Sequence, residues 1–311
     1  MSMIEVKNVT KRFKDKLVLD NVSFNVEEGE MFGLIGPNGA GKSTLINIMT
    51  GVMDGGGEIL IGGHSIRKEA VEAKRLIGVV PQEVAVMSTV SAYDNLEFFG
   101  ALYGLKGKIL KERIDEVLEI TGLTEKRKEM VKKFSGGMKR RLNIAAAIMH
   151  HPKILIMDEP TVGIDPQSRN HIFEFTKKIN KERKTTVIYT SHYMEEVEHL
   201  CENIFIIDLG KEIAYGSKKK IKSMVAGENK AIISLDKISE NIINNIRVLE
   251  GVKDCQAEGN DLKLVIREKD FKLMEALKLI EASKADLKSI NFEDVSLEEV
   301  FLKLTGKKLR D

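Results

Sequence analysis

Apolar and polar residues alternate over the first thirty positions. Ile4, Val6 and Val9, then Val18, Val22, Phe24 and Val26, fall on one side of two extended segments. That spacing predicts antiparallel strands covering one face of a core. Met31 to Ile35 is an unbroken apolar run ending in glycine, and Thr44 to Met49 follows with helical spacing. Strand, loop and helix in that order predict a parallel α/β unit. A hairpin is expected around the Gly55-Gly56-Gly57 and Gly62-Gly63 turns, then a short buried strand, Leu76 to Val80, stopped by Pro81.

From Ser91 to His151 the pattern turns helical. One stripe carries Leu96, Phe99, Leu102 and Tyr103, another Ile114, Val117, Leu118 and Thr121, and Pro152 ends the segment. Ile154–Met157 and Thr186–Thr190 read as further buried strands, and Ile204–Asp208 with Glu212–Tyr215 as a hairpin around Gly210. The composition shifts near 218–229, where Lys218-Lys219-Lys220 and Ala226-Gly227-Glu228-Asn229 read as a solvated connector. Beyond it, strands at Ala231–Leu235, Val252–Ala257, Leu262–Ile266 and Leu287–Phe292 interleave with helices at Glu240–Leu249 and Phe271–Ala282, before a last helix, Leu297–Leu304. The first six elements have the βαββαβ order of a ferredoxin-like unit. The expected division is a domain over 1–225, with a helical subdomain at about 91–151, and a small α+β domain over 226–311.

With 42% hydrophobic residues the chain can bury a sizeable core, which excludes global disorder. Lys and Arg number 49 against 47 Asp and Glu, so no overall charge points to nucleic acid, and none is expected as a partner. The exception is local: twelve basic side chains face six acidic ones between Lys106 and Arg141, a solvated face or a surface for anionic lipid. Two cysteines make no disulfide framework. The start, MSMIEVKNVTKRF, lacks a signal-peptide stretch, and no run approaches the 18 apolar residues of a membrane span. Any membrane role is therefore expected to come through a partner.

Three motifs carry chemistry. Gly36-Pro37-Asn38-Gly39-Ala40-Gly41-Lys42-Ser43-Thr44 fits G-x-x-x-x-G-K-[ST], with an apolar strand before it and a helix after. Its glycines permit a tight turn that aims backbone N–H groups at phosphate oxygens. Lys42 is expected to reach the β- and γ-phosphates, Ser43 to ligate Mg²⁺ and Thr44 to contact the α-phosphate side. Ile154–Met157 delivers Asp158 and Glu159 at a strand end: Asp158 for Mg²⁺ through water, Glu159 to orient or deprotonate the attacking water. Phe134-Ser135-Gly136-Gly137 opens a helix with an N-cap serine and two glycines that leave its first N–H groups uncovered.

In this order the three motifs resemble the nucleotide-binding subunit of ABC transporters, over approximately residues 3–220. The resemblance implies a P-loop NTPase core with an antiparallel β subdomain and an inserted helical subdomain. It implies that Ser135, Gly136 and Gly137 of one copy cap Mg-ATP held by the phosphate loop of a second copy. Phe134 and Met138 depart from the family's Leu-Ser-Gly-Gly-Gln. Under the same resemblance Gln82 matches the glutamine loop, near Mg²⁺ or the lytic water, and His192 the switch histidine. Asp165 matches the loop crossing the dimer interface, and Phe13 the aromatic that stacks on adenine. Pro81-Gln82-Glu83 and the closing Ser296–Gly306 segment resemble drug-resistance and sodium-extrusion exporters, whose ATPase is a separate chain beside a membrane subunit. The implied location is the cytoplasmic face of the membrane, bound peripherally.

Other classes fit less of the pattern. A soluble translation ATPase of this superfamily usually carries two nucleotide domains, and this chain has one phosphate loop. A chromosome ATPase inserts a long coiled coil, whereas no sustained heptads separate Lys42 from Ser135. Asn180-Lys181-Glu182-Arg183 resembles a guanine-reading Asn-Lys-x-Asp but ends in Arg. Glu159 and His192 argue against a non-hydrolysing regulatory module.

Overall fold

The computed structural model describes residues 2–225, 229–267, 269–293 and 295–306. They form two compact units that divide at Lys218/Lys219. In the first, strands β1 (Ser2–Phe13) and β2 (Lys16–Glu27) pair antiparallel, as their alternation predicts. β3 (Met31–Ile35) runs through the glycine loop into α1 (Lys42–Met49). β4 (Glu58–Ile61) pairs with β1 and turns at Gly62-Gly63 into β5 (His64–Ser65). α2 (Ala70–Arg75) precedes β6 (Ile77–Val80).

The helical segment comprises α3 (Ala92–Leu102), α4 (Gly107–Ile120) and α5 (Gly136–Ala147), with two short 3₁₀ turns between α4 and α5. Ser91 and Asp94 close a reciprocal cap on α3. On α4 the expected stripe is the buried one: Ile114, Val117, Leu118 and Thr121 are all inside. On α3 the expectation fails at its C-terminal end. The buried face is Ala92, Asn95, Leu96 and Gly100, while Leu102 and Tyr103 are exposed. The helix stops at Leu102, and the Tyr103 ring lies instead on His150, with centroids 3.6 Å apart. Burial pulls the His150 imidazole down to about 4.

β7 (Ile154–Asp158), α6 (Pro166–Arg183), β8 (Thr186–Ser191), α7 (Met194–Leu200), β9 (Asn203–Asp208) and β10 (Lys211–Ser217) complete the unit. Among the described residues the strands build one antiparallel sheet, β2-β1-β4-β5, and one mixed sheet, β10-β9-β3-β8-β7-β6. In the mixed sheet β9, β3, β8, β7 and β6 run parallel and only β10 is reversed. Phe24 of β2 stacks on Phe32 of β3 at 5.2 Å and meets Phe205 of β9 at 4.9 Å. These rings tie the two sheets into a single core that includes Ile4, Leu45, Ile156 and Ile188.

The expected connector starts as a helix, α8 (Lys218–Val225), in which Ile221 is buried. Ala226, Gly227 and Glu228 lie outside the described residues. In the second unit β11 (Asn229–Leu235), α9 (Glu240–Arg247), β12 (Val252–Glu258), β13 (Asp261–Ile266), α10 (Leu273–Ala282) and β14 (Leu287–Glu293) precede α11 (Leu297–Thr305). The sheet order is β12-β13-β11-β14 with every neighbouring pair antiparallel, the order of a split βαβ pair. Ile242, Ile246 and Ile280 of the helices pack with Ile233, Leu262 and Leu264 of the sheet in a separate core. α11 carries its own reciprocal cap, Ser296 with Glu299, and ends on Gly306 at φ 67°.

Phe205 joins both sheets and is fully buried, so Phe205→Ala should cost about 3–5 kcal/mol. The chain contains no tryptophan, so far-UV circular dichroism in a urea titration is the suitable measure. An unchanged midpoint would refute the shared core.

Candidate functional site

Strands β3, β8 and β7 lie side by side in parallel register, with Leu34 beside Thr190 and Thr190 beside Asp158. Their C-terminal ends therefore reach one edge of the sheet together, the edge where open α/β sheets bind ligands. β3 ends at Ile35, and the loop that follows needs its glycines. A Cβ on Gly36 would sit 2.1 Å from the Ile207 carbonyl oxygen. Gly41 caps α1 at φ 112°, a conformation that L side chains avoid. The Lys42 ammonium, only 5% exposed, donates to the carbonyls of Gly36 at 2.8 Å and Pro37 at 3.3 Å, and lies 3.2 Å from Glu159 Oε1.

Glu159 is the most connected group at this edge. It is 6% exposed, and its Oε2 accepts from Gln82 Nε2 at 3.3 Å and from His192 Nδ1 at 3.1 Å. Its backbone sits at φ 45°, a left-handed conformation costing a non-glycine residue roughly 1–2 kcal/mol. The Glu159 N–H donates to Thr190 Oγ1 at 2.9 Å. The Thr190 hydroxyl in turn donates to Asp158 Oδ1 at 2.7 Å. Burial pushes the Asp158 carboxyl above its usual range; hydrogen bonds from Thr190 and Ser43, and the nearby Lys42, pull it back only in part.

Phe13, Lys16 and Val18 of the β1–β2 hairpin, the loop from Asn38 to Thr44, and Gln82 and Glu159 line a cleft of about 360 Å³. The Phe13 ring is 44% exposed, with Lys11 Nζ 5.1 Å from its centroid. The structure thus gathers Phe13, Asn38, Gly39, Ala40, Gly41, Lys42, Ser43, Thr44, Gln82, Asp158, Glu159 and His192 about one edge.

Seven expected residues do not line this cleft; Gly36, Asp158 and His192 remain bonded to the groups that do, through Lys42, Thr190 and Glu159. The other four, Ser135, Gly136, Gly137 and Asp165, belong to a second group, where the start of α5 meets the start of α6 at Ser168 and Asp165. Ser135 Oγ caps α5 by accepting from Met138 N at 3.2 Å, and Asp165 caps α6 by accepting from Ser168 N at 2.9 Å. A Cβ on Gly137 would strike Ser168 Oγ at 2.2 Å, whereas Gly136 faces open space. The Ser168 N–H and hydroxyl lower the Asp165 carboxyl from its usual range.

Several polar residues at the site escape sequence patterning. Arg140, 4% exposed, donates to the carbonyls of Pro81 at 2.6 Å and Gln82 at 2.5 Å, fixing the loop that carries Gln82 to α5. Asn143 accepts from Ala85 N at 3.3 Å on the same loop. Thr190 belongs with them. Their only sequence signal is a polar residue at a position the period assigns to the core. Asn180 donates to the carbonyls of Gly29 and Thr185 from within α6. The guanine-reading alternative therefore has no counterpart at this edge.

A glycine loop between a buried strand and a helix, with a buried lysine and a strand-end Asp-Glu beside it, defines a P-loop nucleotide-binding domain that binds and hydrolyses ATP. The chain belongs to the ABC transporter family. The family model described as ABC transporter matches residues 19–162. The linearmycin resistance ATP-binding protein LnrL of Bacillus subtilis is 47% identical over 99% of this chain and 100% of its own length. The Nod factor export ATP-binding protein I of Cupriavidus metallidurans is 35% identical over 100% and 99%. Among solved structures, the dimeric post-hydrolysis state of the ATP-binding cassette MJ0796 bound to ADP and Pi matches with a TM-score of 0.63 at 28% identity, covering 69% of this chain and 98% of that one.

The raised Asp158 carboxyl makes its charged form a cost to the fold. Asp158→Asn should therefore raise the melting temperature of the chain without nucleotide at pH 7. The gain should shrink as pH falls and the native aspartate takes up its proton. A variant that melts lower at pH 7 would refute the uncompensated carboxylate.

Proposed function

We propose that this chain is the ATP-hydrolysing subunit of a membrane exporter and that it works as a head-to-tail pair around two Mg-ATP. The observation that carries this reading is the Glu159 carboxylate, gripped by Lys42, Gln82 and His192 at the mouth of the glycine loop. The ATP phosphates lie along the loop N–H groups and the start of α1, where the helix dipole favours anions. Phe13 offers its exposed ring to the adenine.

The Lys42 ammonium transfers to the β- and γ-phosphates, which frees one Glu159 oxygen to hold the attacking water and take its proton. His192 keeps Glu159 aimed, and Gln82 reports from the helical subdomain on the same carboxylate.

Ser43 and Asp158 fit Mg²⁺. Both offer hard oxygen donors, and the buried carboxylate lacks full compensation. Among the described residues no three acidic, His or Cys side chains could hold a metal by themselves, so ATP oxygens would complete the coordination. When bound, the ion neutralises phosphate charge.

Ser135, Gly136, Gly137 and Asp165 stand apart from Lys42 within one chain, which supports a second copy supplying them. Closing of the pair on ATP, and its release after hydrolysis, moves the helical subdomain against the membrane subunits. No helix among the described residues is long and apolar enough to cross a membrane, in keeping with a separate permease and a peripheral position at the cytoplasmic face. The named resistance and export relatives support outward transport.

Glu159→Gln should lower hydrolysis at least about 100-fold while ATP still binds, so that an ATP-bound dimer accumulates on size exclusion. Hydrolysis at the native rate would remove Glu159 as the base. Lys42→Ala should abolish binding of a fluorescent ATP analogue, and unchanged affinity would overturn the phosphate-loop assignment.

A further inference from the structure

Glu196 is a buried carboxylate that none of the expected roles uses. It lies on α7, four residues beyond His192, and is 3% exposed. Its oxygens accept from Thr161 Oγ1 at 2.7 and 2.8 Å, from Tyr189 OH at 3.0 Å and from Ser191 Oγ at 3.1 Å. Arg169 Nε lies 3.5 Å away.

These partners come from the segments that bear the chemistry. Thr161 follows Glu159 by two residues, Ser191 immediately precedes His192, and Arg169 is four residues past Asp165 on α6. The contacts continue outward from there. Ser191 Oγ also accepts from Tyr193 N at 2.9 Å, which shapes the turn carrying His192. The Tyr193 ring lies 4.1 Å from the His192 ring, and the Arg169 guanidinium 5.8 Å from the Tyr193 ring.

We infer that Glu196 is a positioning residue for hydrolysis: it binds the Ser191–His192 turn to the Thr161 segment and so holds His192 Nδ1 on Glu159. A carboxylate suits the task, because it accepts several hydroxyl hydrogen bonds at once and donates none. Such charge-assisted bonds are directional, and inside the protein they resist rearrangement. Arg169 balances the buried charge from the helix that Asp165 begins, so a shift of that segment reaches His192 through Glu196. The inference rests on the role proposed for His192, and the test separates the two.

The full-length chain carrying Glu196→Gln should keep its KM for ATP within about twofold while kcat falls about tenfold, the pattern of lost alignment with intact binding. In a His192→Ala background Glu196→Gln should lower kcat no further, since residues acting as a unit are non-additive. Ser191→Ala, which removes the bond to Glu196 and the one accepted from Tyr193 N, should shift kcat in the same sense, and it decides the matter should Glu196→Gln fail to fold. Native kcat in a folded Glu196→Gln chain, or losses that multiply in the double variant, would overturn the inference. Native kcat in His192→Ala alone would instead strike the role of His192, and this inference would fall with it.

Discussion

Parallel strands in register end at one level, and the chemistry of this chain hangs from that level. β3, β8 and β7 are buried neighbours, with Leu34, Thr190 and Asp158 abreast. The glycine loop, the Asp-Glu pair and the Ser-His turn are therefore released at the same edge, although well over a hundred residues separate the first from the last. Burial at that edge makes charge costly unless it is paired. Lys42 and Glu159 answer each other, Thr190 serves both Asp158 and the Glu159 backbone, and Asp158 keeps a residual cost. A cation at Asp158 would offset that cost.

The starts of α5 and α6 form a different kind of surface. Ser135 and Asp165 spend their side chains capping their own helices, and Gly136 opens to space. Arg140 joins the two regions mechanically. It stands one turn into α5, yet its guanidinium holds the backbone of the Gln82 loop. The segment that carries Arg140 is thus tied by hydrogen bonds to the loop whose Gln82 touches Glu159.

The second unit stands on its own core of Ile233, Ile242, Ile246, Leu262, Leu264 and Ile280. The resistance and Nod factor export relatives align through it, over 99% and 100% of the chain, whereas the solved cassette MJ0796 is matched almost entirely by 69%.

Local physics made much of this readable in advance. Period-two alternation located β1 and β2, apolar runs located β3 and β7, the β-branched stretch Thr186–Thr190 located β8, and the glycine spacing located the phosphate loop, because each depends only on neighbours in the chain. The stripe on α3 misled at Leu102 and Tyr103, where the helix stops and Tyr103 finds His150, a partner 47 residues on. Sheet order, the left-handed φ of Glu159, and the partners of Thr190, Arg140 and Glu196 were settled only by tertiary structure. A buried polar residue is chosen by what lies across from it in space, and no periodicity along the chain records that.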